Sequence, residues 1–342
     1  MFTDIGIDLG TYKTVIMAGQ KLVLEEPTAA AVDSETGKPL FFGKAAFDLA
    51  GRTDQDITVV RPIKHGVVSD MELAVLMLKF FLRKAFGNRI VKPRVAITAP
   101  GSATAVEQRS AAQIVEEAGG RDVRVVETAT AAAIGLGLNF TMPHGSMIVD
   151  LGAGTTDIAV TSMGGVAECV TIPTASDDYD EAIVKFIRQE YNMLIGPHTA
   201  EKIKMQIGAA YRRSVPLTMR AGGIDLVTGM PKSFSVTSDQ IYTATSSVTE
   251  AIGAAVAEVL ERTLPDLAAD ICEDGIRLIG GGAALFGMGE YLCERTGVSA
   301  APAEDHTHVV AKGVGIAVRN PNLLRASDYE YRTRKNLYSD ES

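Results

Sequence analysis

Two stretches of the chain carry the same hydrophobic frame. Ile5 and Ile7 lead into Asp8-Leu9-Gly10-Thr11-Tyr12-Lys13-Thr14, which passes into Val15, Ile16 and Met17. Met147, Ile148 and Val149 lead into Asp150-Leu151-Gly152-Ala153-Gly154-Thr155-Thr156, followed by Ile158, Ala159 and Val160. An apolar run, a glycine-bearing turn and a second apolar run predict a β-hairpin, with Gly where the backbone needs positive φ or close approach. One such hairpin is ordinary turn chemistry. Repetition of both the frame and its acidic residue predicts two similar half-domains facing one cleft. The turn amides would cradle phosphate from both sides, and the two carboxylates would hold a hydrated cation between them.

Between the hairpins, apolar runs alternate with helical periodicity. Asp33-Ser34-Glu35-Thr36-Gly37-Lys38-Pro39 is a turn-rich break that opens a small insertion, and the chain returns near Arg61-Pro62-Ile63-Lys64-His65-Gly66. Ser69-Asp70-Met71-Glu72 fits a capping box and predicts a helix with Leu73, Leu76, Met77 and Phe80 on one face. A buried strand follows over 94–99. Thr104-Ala105-Val106-Glu107 then opens a helix that ends at Gly119-Gly120, a short strand covers 123–126, and a small-residue helix lies around 129–137.

The second half repeats this style. A helix from about Asp178 carries Ile183, Ile187 and Tyr191, and His198-Thr199-Ala200-Glu201 opens another that ends near Gly208. Short alternating runs over 211–236 predict a β-rich insertion, and 239–262 reads as a long amphipathic helix. The apolar strand 276–279 runs into Gly280-Gly281-Gly282, and the charged tail beyond Asn320 is expected to be loosely ordered. The fold class that follows is α/β, with duplicated lobes, two small inserted subdomains and a ligand cleft between the lobes.

Composition narrows the function. At 342 residues two lobes are the default, and 46% hydrophobic with 22% charged residues supports large cores. The net charge of −9 argues against a nucleic-acid binder. Cys169, Cys272 and Cys293 are widely spaced and lack a Cys-x-x-Cys pattern, so they are expected as buried thiols in a reducing compartment. The amino terminus enters a strand at once, and no run reaches the roughly twenty apolar residues of a membrane span. A cytoplasmic protein is expected, with peripheral membrane contact left open.

Three glycine-bearing turns follow apolar strands, at Gly10, at Gly152 to Gly154 and at Gly280 to Gly282. None fits G-x-G-x-x-G before a helix, and no Walker-type lysine loop is present. Two of them would face phosphates, and the third would let a flat base approach the backbone. Asp8 and Asp150 would then bind Mg²⁺ mostly through water, because magnesium dehydrates reluctantly.

This constellation resembles the superfamily of actin, sugar kinases and DnaK-type chaperones, and in detail the MreB family of bacterial actins. The likeness runs to about Asn320 and rests on Asp4-Ile5-Gly6-Ile7-Asp8-Leu9-Gly10-Thr11, Gly51-Arg52-Thr53, Arg61-Pro62-Ile63-Lys64 and Lys92-Pro93-Arg94-Val95. It continues through Ala131-Ala132-Ala133-Ile134-Gly135, Asp180-Glu181-Ala182-Ile183, Thr199-Ala200-Glu201-Lys202-Ile203-Lys204 and Asp225-Leu226-Val227-Thr228-Gly229. Glu261-Arg262-Thr263, Leu267-Ala268-Ala269-Asp270-Ile271 and the run of Gly280, Gly281 and Gly282 complete it.

The resemblance implies actin-like (ribonuclease H-like) lobes around a nucleotide cleft. Subdomain IA would comprise 1–32, 64–143 and 312–330, IB 33–63, IIA 144–178 and 240–311, and IIB 179–239, with a flexible tail at 331–342. ATP or ADP with Mg²⁺ would be held by Gly10, Thr11, Tyr12 and Lys13 on one side and Gly152, Ala153, Gly154 and Thr155 on the other. Glu201 and Lys204, one helical turn apart, would contact the ribose and adenine region; without the likeness they read as a solvated helix face.

Departures from the family pattern matter as much. The family has Glu-Glu-Pro-Met before the Ala-Ala-Ala-Ile-Gly stretch, and its second Glu orients the attacking water. Here the run is Glu127-Thr128-Ala129-Thr130, so Thr128 stands at that position and Glu127 matches the first Glu. On a helix one residue turns a side chain by roughly 100°, so Glu127 is not a simple stand-in. A weak ATPase at most is expected. The family's Gly-Gly before its Asp-x-Phe-Asp stretch is Ala175-Ser176, and its Ala-Asn at the first hairpin tip is Tyr12-Lys13. Lys13 either reaches a phosphate as a point charge or points into solvent.

Family members bind membrane through an amphipathic amino-terminal helix or an apolar loop. Ile90-Val91, flanked by Arg89, Lys92 and Arg94, occupies the loop position, the alternative being a buried loop or strand start. The expected function is an ATP-binding, actin-like filament protein that scaffolds cell-wall synthesis and shape at the inner face of the membrane. Its expected partners are further copies of itself, the cell-wall elongation machinery with its membrane proteins, and peripheral inner-membrane lipid, with no nucleic acid. An actin-fold small-molecule kinase and a DnaK-like chaperone are the alternatives. The kinase needs an acidic base and a substrate pocket that the sequence does not reveal, and the chaperone needs a substrate-binding domain for which the chain leaves no room.

Overall fold

The computed structural model describes residues 4–52, 56–87, 92–139, 141–320 and 332–333. Two sheets with one strand order organise it. In the first, Asp4–Leu9 is central, flanked on one side by the antiparallel strands Lys13–Ala18 and Lys21–Pro27 and on the other by the parallel strands Arg94–Ala99 and Arg121–Glu127. In the second, Ser146–Leu151 is central, flanked by antiparallel Thr156–Ser162 and Gly165–Ile172 and by parallel Ile276–Ile279 and Ala300–Pro302. Numbered along the chain, both run 3-2-1-4-5. Arg332–Thr333 adds an edge to the first sheet.

The likeness extends to single residues. The two central strands share one burial pattern, closed on both faces except at Asp8 and Asp150 and at each strand's first residue. Central strands covered on both faces need near-continuous apolar runs, which is why these carboxylates stand out in an otherwise aliphatic sequence. Small sheets form the insertions: Pro39–Phe42, Ala30–Asp33 and Ile57–Val60 in the first half, and Met193–Leu194, Thr218–Asp225 and Pro231–Thr237 in the second. The turn at 33–39 thus joins two strands of one small sheet.

Helices begin where local hydrogen bonding favours them. Thr104 and Glu107 close a reciprocal capping box on Ala105–Ala118, and Gly119 ends that helix at φ 109°. The helix Met71–Phe86 starts one residue later than its capping box predicts. Asp70 accepts from the Leu73 amide, whereas the Ser69 hydroxyl donates to the Pro62 carbonyl. Ser176–Tyr191 and Pro197–Ile207 also start slightly ahead of the sequence pattern. The cysteines depart from expectation: Cys272 and Cys293 are exposed and Cys169 is half-buried. The sequence offered only their spacing, which carries no burial signal.

Each lobe has its own core, centred on Ile5, Ile97 and Phe81 in one and on Val149, Ile252 and Leu278 in the other. A third cluster joins them, with Ala96 and Val126 from the first sheet, Ile148 and Ile279 from the second, and the helices Thr128–Gly135 and Val309–Ala317 between. Each of these helices follows the last strand of its sheet's 3-2-1-4-5 order, and they meet backbone to backbone. A β-carbon on Gly313 would lie 1.7 Å from the Ala131 carbonyl oxygen, and one on Gly135 would lie 2.0 Å from that of Val309.

Replacing Gly by Ala inside a helix ordinarily stabilises it by about 1 kcal/mol. Here the sign reverses, because the added methyl forces the helices apart. Gly313→Ala is expected to lower stability by about 2 kcal/mol or more, read as a lower urea midpoint. Gly165→Ala, at a position with nothing within 4 Å of the added carbon, serves as the comparison.

Candidate functional site

The two hairpins face each other across a cavity of about 480 Å³ at the junction of the lobes. Their turns close identically: the Gly10 amide donates to the Lys13 carbonyl at 3.1 Å and the Gly152 amide to that of Thr155 at 3.0 Å. Neither glycine has positive φ, so close packing is what requires them; a β-carbon would meet those acceptor oxygens at 3.0 and 2.8 Å. Gly280, at φ 82°, is required on both counts, since a side chain there would strike the Asp150 carboxylate.

The second tip also touches the first lobe, and the first tip is braced within its own. Thr11 Oγ1 accepts from the Gly66 amide at 3.0 Å, and His65 Nδ1 donates to the Gly154 carbonyl at 3.0 Å. Behind the second tip, the Ser176 and Asp177 amides donate to the Gly152 and Ala153 carbonyls, seating the start of the helix Ser176–Tyr191 against the turn. Ala175 adopts an extended φ of −155°, which needs no glycine.

Asp8 and Asp150 end their strands at the floor of this cavity, and a third carboxylate joins them. Asp157 is the cross-strand partner of Asp150, at the position where the first hairpin has Val15 opposite Asp8. Burial pushes all three carboxyls above their ordinary value. Asp150 rises furthest, through burial first, then the neighbouring Asp157 and Asp8. Asp8 is moderated by a 3.0 Å hydrogen bond from Thr98, and Asp157 by hydrogen bonds from Thr171 and Thr155. Like charges held together away from water favour a bound cation. Among the described residues no group of three His, Cys, Asp or Glu side chains has the geometry of a complete metal cage.

The remaining sequence candidates separate. Gly10, Thr11, Tyr12, Lys13, Gly152, Ala153, Gly154, Thr155, Glu201, Lys204, Gly280, Gly281, Gly282 and Thr128 all line the cavity. Lys13 pairs with Glu25 at 2.6 Å at the edge of the cavity. Lys204 donates to the Ser176 carbonyl and to Asp180, whose carboxyl burial pushes up to about 6 against the pull of Lys204. The Thr128 hydroxyl donates to the Ala99 carbonyl at 3.1 Å, while Glu127 sits at the cap of the helix and outside the cavity lining. Ile90 and Val91 lie outside the described residues.

Two features were missed. Asp157 was legible in principle, because aligning the two hairpin frames sets it against Val15. The guanidinium of Arg213 stacks 3.6 Å over the Phe286 ring at the other end of the cavity, and no sequence motif marks that pair.

Two 3-2-1-4-5 lobes, each presenting an acidic hairpin to a shared cleft, define an actin-like fold. The chain belongs to the MreB/Mbl protein family, which matches it over residues 2–326. It is 41% identical over 325 residues to the cell shape-determining protein Mbl of Bacillus cereus, covering 94% of this chain and 97% of that protein. MreB5 of Spiroplasma citri bound to AMPPNP superposes with a TM-score of 0.89 at 34% identity, over 94% of this chain and 97% of the other. Its ADP-bound structure gives the same TM-score at 33% identity and the same coverage. No helix among the described residues is long and apolar enough to cross a membrane.

The carboxylate cluster predicts a pH dependence for the ligand-free protein. An acid whose folded pKa is raised binds its proton more tightly when folded, so its contribution falls as pH climbs from its ordinary 3.8 through the raised value. Asp150→Asn removes that penalty. It is expected to raise the ligand-free melting temperature at pH 7 by roughly a few degrees, with the gain shrinking towards pH 4, as scanning calorimetry would record.

Proposed function

We propose that this chain binds ATP with Mg²⁺ in the interlobe cleft and assembles into actin-like filaments that scaffold cell-wall synthesis and shape at the inner face of the membrane. The observation that carries the reading is the cleft itself, with two hairpin tips of matching register above three carboxylates, Asp157 buried and Asp8 and Asp150 half-buried. Asp8, Asp150 and Asp157 would hold the hydrated cation, whose charge offsets both their repulsion and that of the phosphates. Gly281 leaves open space beside the cavity and Arg213 with Phe286 bounds the same end, which suits a flat base. The structures of MreB5 bound to AMPPNP and to ADP support nucleotide binding by this chain. Neither alternative gains support: the family that matches the chain over residues 2–326 is MreB/Mbl, not a kinase or a chaperone.

Sedimentation tests this directly. The protein is expected to pellet with Mg-ATP and to pellet with anionic liposomes in larger amount. Asp150→Asn should lose Mg-dependent nucleotide binding, and replacing both Ile90 and Val91 with Ser should abolish the liposome fraction alone. Each buried methylene contributes only about 0.8 kcal/mol, so membrane binding rests on many copies along a filament. A protein that stays in the supernatant under every nucleotide and lipid condition would overturn the reading.

Hydrolysis is proposed to be slow. The Thr128 hydroxyl donates its hydrogen bond to the Ala99 carbonyl, a hydroxyl is a poor base at neutral pH, and Glu127, at the N-cap position of the helix, is not among the residues lining the cavity. Absence of a water-positioning carboxylate costs on the order of 10² to 10⁴ in rate. In single-turnover assays Thr128→Glu is expected to speed hydrolysis and Glu127→Ala to change it little. A collapse in Glu127→Ala would place the base there instead.

A further inference from the structure

Three side-chain contacts cross the mouth of the cleft, and Tyr12 lies at the centre of the cluster that makes them. Its hydroxyl donates to Glu201 Oε1 at 2.8 Å, from the first hairpin tip to the helix Pro197–Ile207 of the other lobe. Beside it, Arg61 pairs with Asp177 at 2.7 Å, again between lobes, while its guanidinium sits 5.3 Å from the centre of the Tyr12 ring. Phe47, from the first insertion, meets the Tyr12 ring edge-on at 5.7 Å and packs against His198 of the second insertion at 4.8 Å. The two insertions are otherwise carried on separate sheets, so this cluster ties together parts that the fold leaves independent.

Tyr12 and Glu201 also line the cavity. A ligand filling it therefore lies beneath this crossing and leaves only when the crossing opens or when it passes by another route. Burial and the Glu201 carboxylate hold the Tyr12 phenol above its ordinary pKa, so it remains a donor throughout the neutral range. A phenol donating to a carboxylate is a charge-assisted hydrogen bond, stronger than a neutral one. Arg61 stacked on the ring keeps the phenol aimed at Glu201, and the half-exposed Arg61–Asp177 pair adds a second, weaker tie.

We infer that Tyr12, with Arg61, Asp177 and Glu201, forms a strap across the cleft that slows nucleotide exchange. This rests on the nucleotide reading above and adds a kinetic role to it. A strap closed in the ligand-free protein raises the barrier in both directions. Removing it therefore speeds entry and exit together and moves the equilibrium affinity less than either rate.

Stopped-flow measurement with a fluorescent ATP analogue and Mg²⁺ tests it. Tyr12→Phe keeps the ring and removes only the hydroxyl, and is expected to raise the dissociation rate about tenfold with a parallel rise in association. Arg61→Asp should act in the same direction, and Arg61→Asp combined with Asp177→Arg should restore slow exchange. A dissociation rate in Tyr12→Phe equal to the parent's overturns the strap. So does a loss of affinity without faster association, which would make Tyr12 a plain ligand contact. Amide hydrogen exchange over 197–207 in the ligand-free protein supplies a readout without nucleotide: faster exchange in Tyr12→Phe supports the strap, and unchanged exchange overturns it. A parent protein that binds no nucleotide defeats the nucleotide reading and leaves the strap to be decided by that exchange.

Discussion

The structure depends on one contact, the close crossing of Thr128–Gly135 with Val309–Ala317. Two helices approach this closely only where side chains are absent, and here Gly135 and Gly313 each face a carbonyl of the partner helix. Because each helix extends from the end of one sheet, their crossing fixes where the sheets stand. The same helix presses Gly315 against Gly6 and Gly19 of the first hairpin sheet. Larger residues at any of these places would push the sheets apart and separate the hairpin tips that form the cleft.

That rigid junction holds an unfavourable arrangement in place. Asp150 and Asp157 are direct cross-strand neighbours, and Asp8 approaches from the other lobe. Like charges opposite each other in a sheet are destabilising, and desolvation adds to the cost. Hydrogen bonds from Thr98, Thr155 and Thr171 offset part of it. Such a site is stabilised by its ligand more than by its own contacts, and its stability is supplied by the aliphatic strands around it.

Much of this was written in the sequence. The duplicated hairpins, the main strands and the reciprocal cap at Thr104 follow from local patterns, because glycine turns, apolar runs and capping residues act over a few positions. What escaped depends on distant parts of the chain. Lys13 could not be assigned because its partner, Glu25, sits on a neighbouring strand. The helix start at Asp70 was blurred because Ser69 finds a better acceptor in Pro62. Arg213 on Phe286 joins residues more than seventy positions apart, and only the folded chain brings them together.

Duplication raises a problem of its own. Two equivalent frames meeting across a junction have an approximate two-fold relation, and a perfectly symmetric cleft would accept a ligand equally well in either of two orientations, head-first or reversed. The chain breaks that degeneracy at single positions. Where the first frame has Val15 the second has Asp157, and where the first tip carries Tyr12 the second carries Gly154. One flank of the cleft is thereby more acidic and more open than the other, so an asymmetric, highly charged molecule has one way to lie in it. A single substitution in an ancestral repeat is enough to give the cavity a direction.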